Sequence, residues 1–269
     1  YVEAAMTLAG QRQRAGESRE ALRLWARVEP RLRDDDPRLF EVAKRLAVTQ
    51  LEGRPDRAAL VEAHRLLERA LVLRSDDPDA LARRHAVACL LDEPAKVLIA
   101  ARALLEHPTG LDPHQLVELE GDVARAHALL DQPLEAIAAY ERAVSATEPG
   151  SERHRELARR WLELVEHPGL AADDPVVRAR RELAARTELR LALGTELSGE
   201  QSLREAELLL VLGEIDPALG LLEGLLIQGA NDAAPTATLR RREARARLAA
   251  LADVEQGRHR DRVLRSQKR

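Results

Sequence analysis

The dipeptide Asp-Pro recurs five times in this chain of 269 residues, and each copy stands before a stretch of helical periodicity. An Asp side chain accepts hydrogen bonds from the free N–H groups at a helix start, and proline suits the first helical position because its missing N–H has no partner there. The Asp charge also lies at the positive end of the helix dipole. The repeats predict helix starts at Asp36-Pro37, Asp77-Pro78, Asp112-Pro113, Asp174-Pro175 and Asp216-Pro217.

The composition favours an all-helical protein. Ala, Leu, Arg and Glu are abundant and are strong helix formers, whereas aromatic residues, which strands prefer, make up only 2% of the chain. Helix-breaking residues such as Asp92-Glu93-Pro94 separate the predicted helices by only a few residues, so we expect neighbouring helices to be antiparallel. The pattern predicts thirteen helices, at 2–15, 17–29, 37–52, 56–73, 78–91, 94–106, 113–130, 133–146, 151–166, 175–194, 199–213, 217–228 and 235–256.

The second helix of several pairs carries a small residue, a larger one four positions later and a small or apolar one three after that. Offsets of four and seven keep the three on one helical face. Ala21 and Ala218 open two such triplets 197 residues apart, and five repeats over that distance give a mean period of about 39 residues. The chain is therefore predicted to be an all-α, right-handed α-solenoid of about six antiparallel helix pairs, closed by a capping helix at 235–256.

The best of these repeats, residues 117–149, resembles a tetratricopeptide repeat. Val123 and Ala124 stand where that family has Leu and Gly, and Ala136, Tyr140 and Ala143 stand at its small–aromatic–small positions. The resemblance implies that Ala136 is buried where the two helices of the repeat meet.

The resemblance is degenerate. The family's first-helix Trp is Glu120 here, its Tyr is His127, and the mean period exceeds 34 residues. A longer-period helical repeat of the HEAT kind therefore stays open as an alternative.

We expect one repeat domain at 1–256 and a basic, mobile tail at 257–269. Residues 235–269 hold eleven Arg and Lys against four Asp and Glu, on a chain whose net charge is −4. The scarcity of Lys beside Arg is typical of a GC-rich, bacterial gene. Because the chain begins at Tyr1 rather than Met, we expect a processed protein or a piece of a larger one, cytoplasmic by preference, or periplasmic if a signal has been removed.

No motif for catalysis, a cofactor or a metal stands out. The eight histidines include no His-Glu-x-x-His pair, no glycine run forms a phosphate loop, and Cys89 reads as a small core residue. The acidic runs that end at Asp36, Asp77 and Asp174 read as helix caps. Nucleic-acid binding is disfavoured because no aromatic residue follows Trp161 to stack on bases, and no apolar run is long enough to cross a membrane.

The predicted helix at 217–228 is apolar on nearly every side and contains Gly220 and Gly224. One interpretation is a packed central helix in which the glycines allow close approach. The other is an exposed face for docking a partner.

The favoured function is a non-catalytic protein-interaction scaffold, part of a larger assembly, that binds a protein or peptide in its concave groove. The alternatives are a regulatory or sensory domain of a larger enzyme or signalling protein, or a helical-repeat enzyme. Arg125 is the groove position suited to an acidic partner. The resemblance places the groove at Glu118, Gly121, Arg125, Ala128 and Leu129, and in a later repeat at Glu200, Leu203, Glu207 and Leu210.

Overall fold

The computed structural model describes residues 1–167, 174–194 and 198–228, together with residues 244, 246, 247 and 249. Within this part of the chain the secondary structure comprises twelve α-helices, a short 3₁₀ helix at Glu29–Arg31, a few helical residues between 244 and 249, and no strand, which confirms the predicted all-α class. The helices are α1 (Val2–Arg14), α2 (Ser18–Val28), α3 (Pro37–Gln50), α4 (Arg57–Leu73), α5 (Pro78–Leu91), α6 (Pro94–Glu106), α7 (Pro113–Leu129), α8 (Pro133–Ser145), α9 (Glu152–Val165), α10 (Pro175–Leu193), α11 (Gly199–Leu212) and α12 (Ile215–Gln228).

Four of the five Asp-Pro dipeptides begin helices as predicted. Asp36, Asp77, Asp112 and Asp174 are the N-caps of α3, α5, α7 and α10, and each carboxylate accepts a hydrogen bond from a backbone N–H of the first turn. The acidic runs before α3, α5 and α10 are thus helix starts, as the sequence indicates.

The fifth prediction, Asp216-Pro217, is wrong by two residues. The helix α12 begins at Ile215, so Asp216 and Pro217 lie inside its first turn. Proline is tolerated there because the first four N–H groups of any helix lack a partner within it.

The helices pack in consecutive pairs, α1 with α2 through to α11 with α12. Within the pairs α5–α6 and α7–α8 the turns are very short, and the backbone reverses at Asp92 and Asp131, whose φ angles are 54° and 56°. Asp adopts this left-handed conformation more readily than most residues do because its short side chain can hydrogen-bond locally. These antiparallel pairs confirm the tetratricopeptide-like helical-repeat fold.

The chain divides into two compact units, Tyr1–Thr147 and Glu148–Arg269, called unit 1 and unit 2 here. The division falls beside the turn-forming Pro149 and Gly150. In unit 1 each of the eight helices packs on the next in chain order, and in unit 2 the helices α9 to α12 do the same. Each unit is therefore a short helical-repeat array in its own right.

The core of unit 1 is built from the small–large–small triplets. Ala136, Tyr140 and Ala143 are all buried, and Ala136 has no exposed surface. The full burial of Ala136 agrees with the close approach of α7 and α8 that the repeat pattern predicts.

The core of unit 2 includes Ala218, Leu222 and Leu225 of α12, all buried, so the packed-helix interpretation of this segment holds for that face. Among the described residues, a Cβ built on Gly220 or Gly224 would meet no atom within 4 Å, so the close approach of a helix expected at these glycines is not found there.

The predicted capping helix at 235–256 and the tail at 257–269 lie outside the described residues, apart from four positions. Ala244, Ala246, Arg247 and Ala249 are helical, and Ala244 is buried in the unit 2 core beside Ala206 and Leu209. Among the described helices, none is long and apolar enough to cross a membrane.

Candidate functional site

Helices α5 and α7 of unit 1 bring three side chains of different chemistry together. His85 and Cys89 are four residues apart on α5, a spacing that places them on one face of the helix. The His85 Nε2 atom lies 3.5 Å from the Cys89 Sγ atom. This pair forms one side of a cluster that Asp122 of α7 completes, and the three residues are called the His85–Cys89–Asp122 cluster here.

Asp122 of α7 completes the cluster. Its Oδ2 atom lies 3.2 Å from His85 Nε2 and 3.8 Å from Cys89 Sγ. The other carboxylate oxygen, Oδ1, accepts a hydrogen bond of 3.1 Å from Arg125 Nη2. Arg125 therefore holds the carboxylate by one oxygen while the second faces α5.

The cluster is polar and sheltered. The side chains of His85 and Asp122 are only 15% and 23% exposed. Burial acts to lower the pKa of His85, but hydrogen bonds to Asp122 and Cys89 outweigh it and raise that pKa to about 9. Cys89 is half-buried and packs against a buried hydrophobic cluster that includes Ala88 and Val97, as expected of a small core residue, and its sulfur also faces two polar groups.

The geometry does not match a nucleophilic relay. In such a relay the nucleophile and the carboxylate address different nitrogens of the imidazole ring. Here Cys89 and Asp122 both approach Nε2 of His85. In the described part of the chain, these three residues form the group of nitrogen, sulfur and oxygen atoms close enough to hold one metal ion.

The predicted groove residues of α7 differ in accessibility. Arg125 is exposed, and Leu129 exposes 63% of its surface. Glu118 and Ala128 are half-buried, with Glu118 3.9 Å from the exposed His114. Gly121 is buried and therefore offers little surface to a partner. As a binding surface this set stays a prediction.

Unit 2 contains a cleft of about 590 Å³ between α10 and α11. One wall is apolar and includes Leu210 and Val211, the latter 48% exposed. Three arginines also line it, Arg178 from α10, Arg204 from α11 and Arg247 from the sequence beyond α12. The cleft thus combines cationic and apolar surface.

A buried carboxylate supports the floor of this cleft. Glu182 is 2% exposed, and its two oxygens accept hydrogen bonds of 2.7 Å each from Arg204 Nε and Nη2. Arg186 Nε donates a third, at 3.1 Å. Burial acts to raise the pKa of Glu182, but the hydrogen bonds and charges of Arg204 and Arg186 outweigh it, so the pKa lies below its usual value.

The predicted groove residues of α11 separate into three groups. Glu207 and Leu210 line the cleft, and Glu207 forms ion pairs with Arg204 and Arg247. Leu203 packs against the unit 2 core, and Glu200 is exposed but is not part of the cleft wall. The structure therefore brings two of the four residues together.

Sequence reasoning missed Glu182, Arg178 and the His85–Cys89–Asp122 cluster. One signal is present for the cluster: His85 and Cys89 are four residues apart, which places them on one face of a helix. The contribution of Asp122 could not be found this way, because it depends on how α5 and α7 pack against α6.

Comparisons with known proteins find solved structures that resemble this chain in fold. No family model matches the chain, and no curated protein matches it. One similar solved structure is MamA from AMB-1, with 16% identity, a TM-score of 0.47 and coverage of 73% of this chain and 94% of that one. Another is a tetratricopeptide repeat protein from Parabacteroides merdae, with 12% identity, a TM-score of 0.43 and coverage of 90% and 98%.

A third is PilF from Pseudomonas aeruginosa, with 17% identity, a TM-score of 0.34 and coverage of 91% of this chain and 97% of that one. At TM-scores this low, none of these similarities bears on what the present chain binds.

Proposed function

We propose that this chain is a non-catalytic scaffold that binds a protein or peptide partner, with the cleft of unit 2 as a principal contact surface. The observation that carries the proposal is the cleft itself, in which three arginines stand beside exposed apolar side chains of α11. Such a mixture suits a peptide that alternates acidic and apolar groups.

The charges of the cleft identify where an acidic group would bind. Arg204 is already paired with Glu182 and Glu207, and Arg247 with Glu207. Arg178, in contrast, has no ion-pair partner among the described residues. A carboxylate of the partner would therefore find its strongest new pairing at Arg178, whose planar guanidinium can donate two parallel hydrogen bonds.

The apolar wall supplies the second part of the recognition. Val211 is nearly half exposed, and Leu210 is partly covered because it also packs against the unit 2 core. An apolar side chain of a bound peptide would remove this surface from water, which stabilises the complex by roughly 25 cal/mol for each Å² buried.

The test uses a random peptide library displayed on phage and selected on the immobilised full chain. We expect the selected peptides to combine acidic and apolar residues. Affinities measured by fluorescence anisotropy should fall at least about tenfold for Arg178→Glu, the effect of a modest interface hot spot.

Arg180→Glu is the matched control, since Arg180 is an exposed arginine of the same helix that does not line the cleft. It makes the same change in net charge and should leave the affinity unchanged. Equal affinities of wild type and Arg178→Glu would exclude the cleft as the binding site.

The exposed face of α7 is proposed as a contact surface of unit 1, with Arg125 as its cation. Arg125→Gln removes the guanidinium without placing a second carboxylate beside Asp122, and is therefore a cleaner variant than Arg125→Glu. Peptides that bind unit 1 should lose affinity with this substitution, and an unchanged affinity would remove Arg125 from the surface.

A further inference from the structure

The His85–Cys89–Asp122 cluster has the composition of a transition-metal site. It offers one imidazole nitrogen, one sulfur and one carboxylate oxygen, and these atoms all lie within 4.8 Å of one another. Zinc binds all three of these ligand types in proteins: cysteine sulfur, histidine nitrogen and carboxylate oxygen.

The distances match three corners of a tetrahedron. Zinc forms bonds of about 2.3 Å to sulfur and about 2.0–2.1 Å to nitrogen and oxygen. In a tetrahedron, these bond lengths place a sulfur ligand about 3.5 Å from a nitrogen or oxygen ligand, and place the nitrogen and oxygen about 3.3 Å from each other. The structure has 3.5 Å from Nε2 to Sγ, 3.2 Å from Nε2 to Oδ2 and 3.8 Å from Sγ to Oδ2. Small shifts of the side chains would therefore complete the coordination.

All three donor atoms face one point. Cys89 and Asp122 approach the same ring nitrogen of His85, and the Cys89 thiol also donates to Oδ2 of Asp122 at 3.8 Å. An ion bound among the three atoms would replace these contacts with three separate bonds to the metal.

Arg125 provides the outer support that such a site requires. It donates to Oδ1 of Asp122 and leaves Oδ2 directed toward His85 and Cys89. Outer-shell partners of this kind orient the ligating atom of a carboxylate and contribute to metal affinity.

We infer that His85, Cys89 and Asp122 bind one zinc ion in tetrahedral geometry, with a fourth position open to water, and that Arg125 positions the Asp122 ligand. The two anionic ligands, thiolate and carboxylate, balance the charge of the ion. Three protein ligands with an open position distinguish the site from closed structural zinc sites, which have four.

The first test titrates the chelator-treated full chain with Co²⁺, which reports its ligands in its absorption spectrum. We expect one cobalt ion per chain, visible bands of a tetrahedral ion and a thiolate-to-cobalt charge-transfer band. Because Cys89 is the single cysteine of the chain, that band assigns the sulfur ligand without a mutation. Its absence, or one cobalt ion shared by two chains, would overturn the proposal.

The second test measures Zn²⁺ affinity by competition with a chromophoric chelator. His85→Gln, Cys89→Ser and Asp122→Asn should each abolish stoichiometric binding, and Arg125→Gln, which keeps all three ligands, should weaken it about 10- to 100-fold. His114→Gln is the matched control for His85→Gln, because His114 is a well-exposed histidine on α7 with a side chain 77% exposed.

Circular dichroism of each variant checks that it is folded, and the wild-type cobalt spectrum decides the question where a variant is not. Zinc affinity that is unchanged in folded Cys89→Ser or Asp122→Asn would show that the three side chains form only a hydrogen-bonded cluster. This result would leave peptide binding by the cleft of unit 2 untouched, since that binding is tested at Arg178, which lies in the other unit.

Discussion

Removing the charge of Glu182 should destabilise unit 2 far more than removing an exposed carboxylate. Glu182 is 2% exposed and accepts three hydrogen bonds, two from Arg204 and one from Arg186. Breaking a buried ion pair from one side costs about 3–5 kcal/mol, because the remaining charges stay in a poorly solvated place.

The lower end of that range applies here. Arg204 keeps a second partner in Glu207 at 3.2 Å, and its side chain is 37% exposed. Arg186 keeps a second partner in Glu166. We therefore expect Glu182→Gln to lower the free energy of unfolding of unit 2 by about 3 kcal/mol.

The two tryptophans make the measurement specific to one unit. Trp25 is buried in unit 1 and Trp161 in unit 2, and the chain has no others. In a Trp25→Phe background, the fluorescence of Trp161 during urea unfolding reports unit 2 alone.

Glu156→Gln is the control in the same unit. Glu156 is 40% exposed and pairs with Arg153 and Arg160 on the surface, so its loss should cost less than about 1 kcal/mol. If Glu182→Gln destabilises unit 2 no more than Glu156→Gln does, the reasoning about burial of the Glu182 ion cluster is refuted.

Three further predictions concern packing and pH. Ala136→Leu should overpack the contact of α7 with α8 and lower the stability of unit 1 by about 1–3 kcal/mol; an unchanged unfolding midpoint, followed by Trp25 fluorescence in a Trp161→Phe background, would show that the register is wrong. Leu222→Ala should cost unit 2 about 2–5 kcal/mol, whereas a small loss with abolished peptide binding would indicate a docking face. Because the folded pKa of Glu182 is lowered, its contribution is complete above the unfolded pKa of about 4.3 and is lost progressively as the pH falls from there through the lower folded pKa. The stabilities of wild type and Glu182→Gln should therefore converge in acid, and a constant difference down to about pH 3 would contradict this assignment.

The sequence was sufficient wherever the relevant physics is local. Asp36 or Asp112 caps its helix through atoms two or three residues away, so the dipeptide alone predicts the helix start. Ala136 could be placed at a helix contact because the offsets of four and seven hold on any regular helix. The start of α12 was predicted two residues late, because an Asp-Pro dipeptide does not distinguish a proline at the first helical position from one later in the first turn.

The site depends on contacts that no local rule describes. His85 and Asp122 are 37 residues apart, and their meeting follows from how α5 and α7 both pack against α6. Leu203 is a second example: the repeat pattern assigned it to a groove, whereas it packs against the unit 2 core. The direction in which a residue of α11 points depends on side-chain packing and not on the chain's periodicity alone.

The stacking of unit 1 in chain order also sets how it should fold and open. Since each helix packs chiefly on its neighbours in sequence, the mean sequence separation of contacts is small, and such topologies fold in microseconds to milliseconds. The terminal helix α1 buries only Ala5 and Ala9, so its amides should exchange with solvent earliest. Protection should rise toward α4 and α5, which places His85 and Cys89 on an interior layer that stays closed while the N-terminal end opens and recloses.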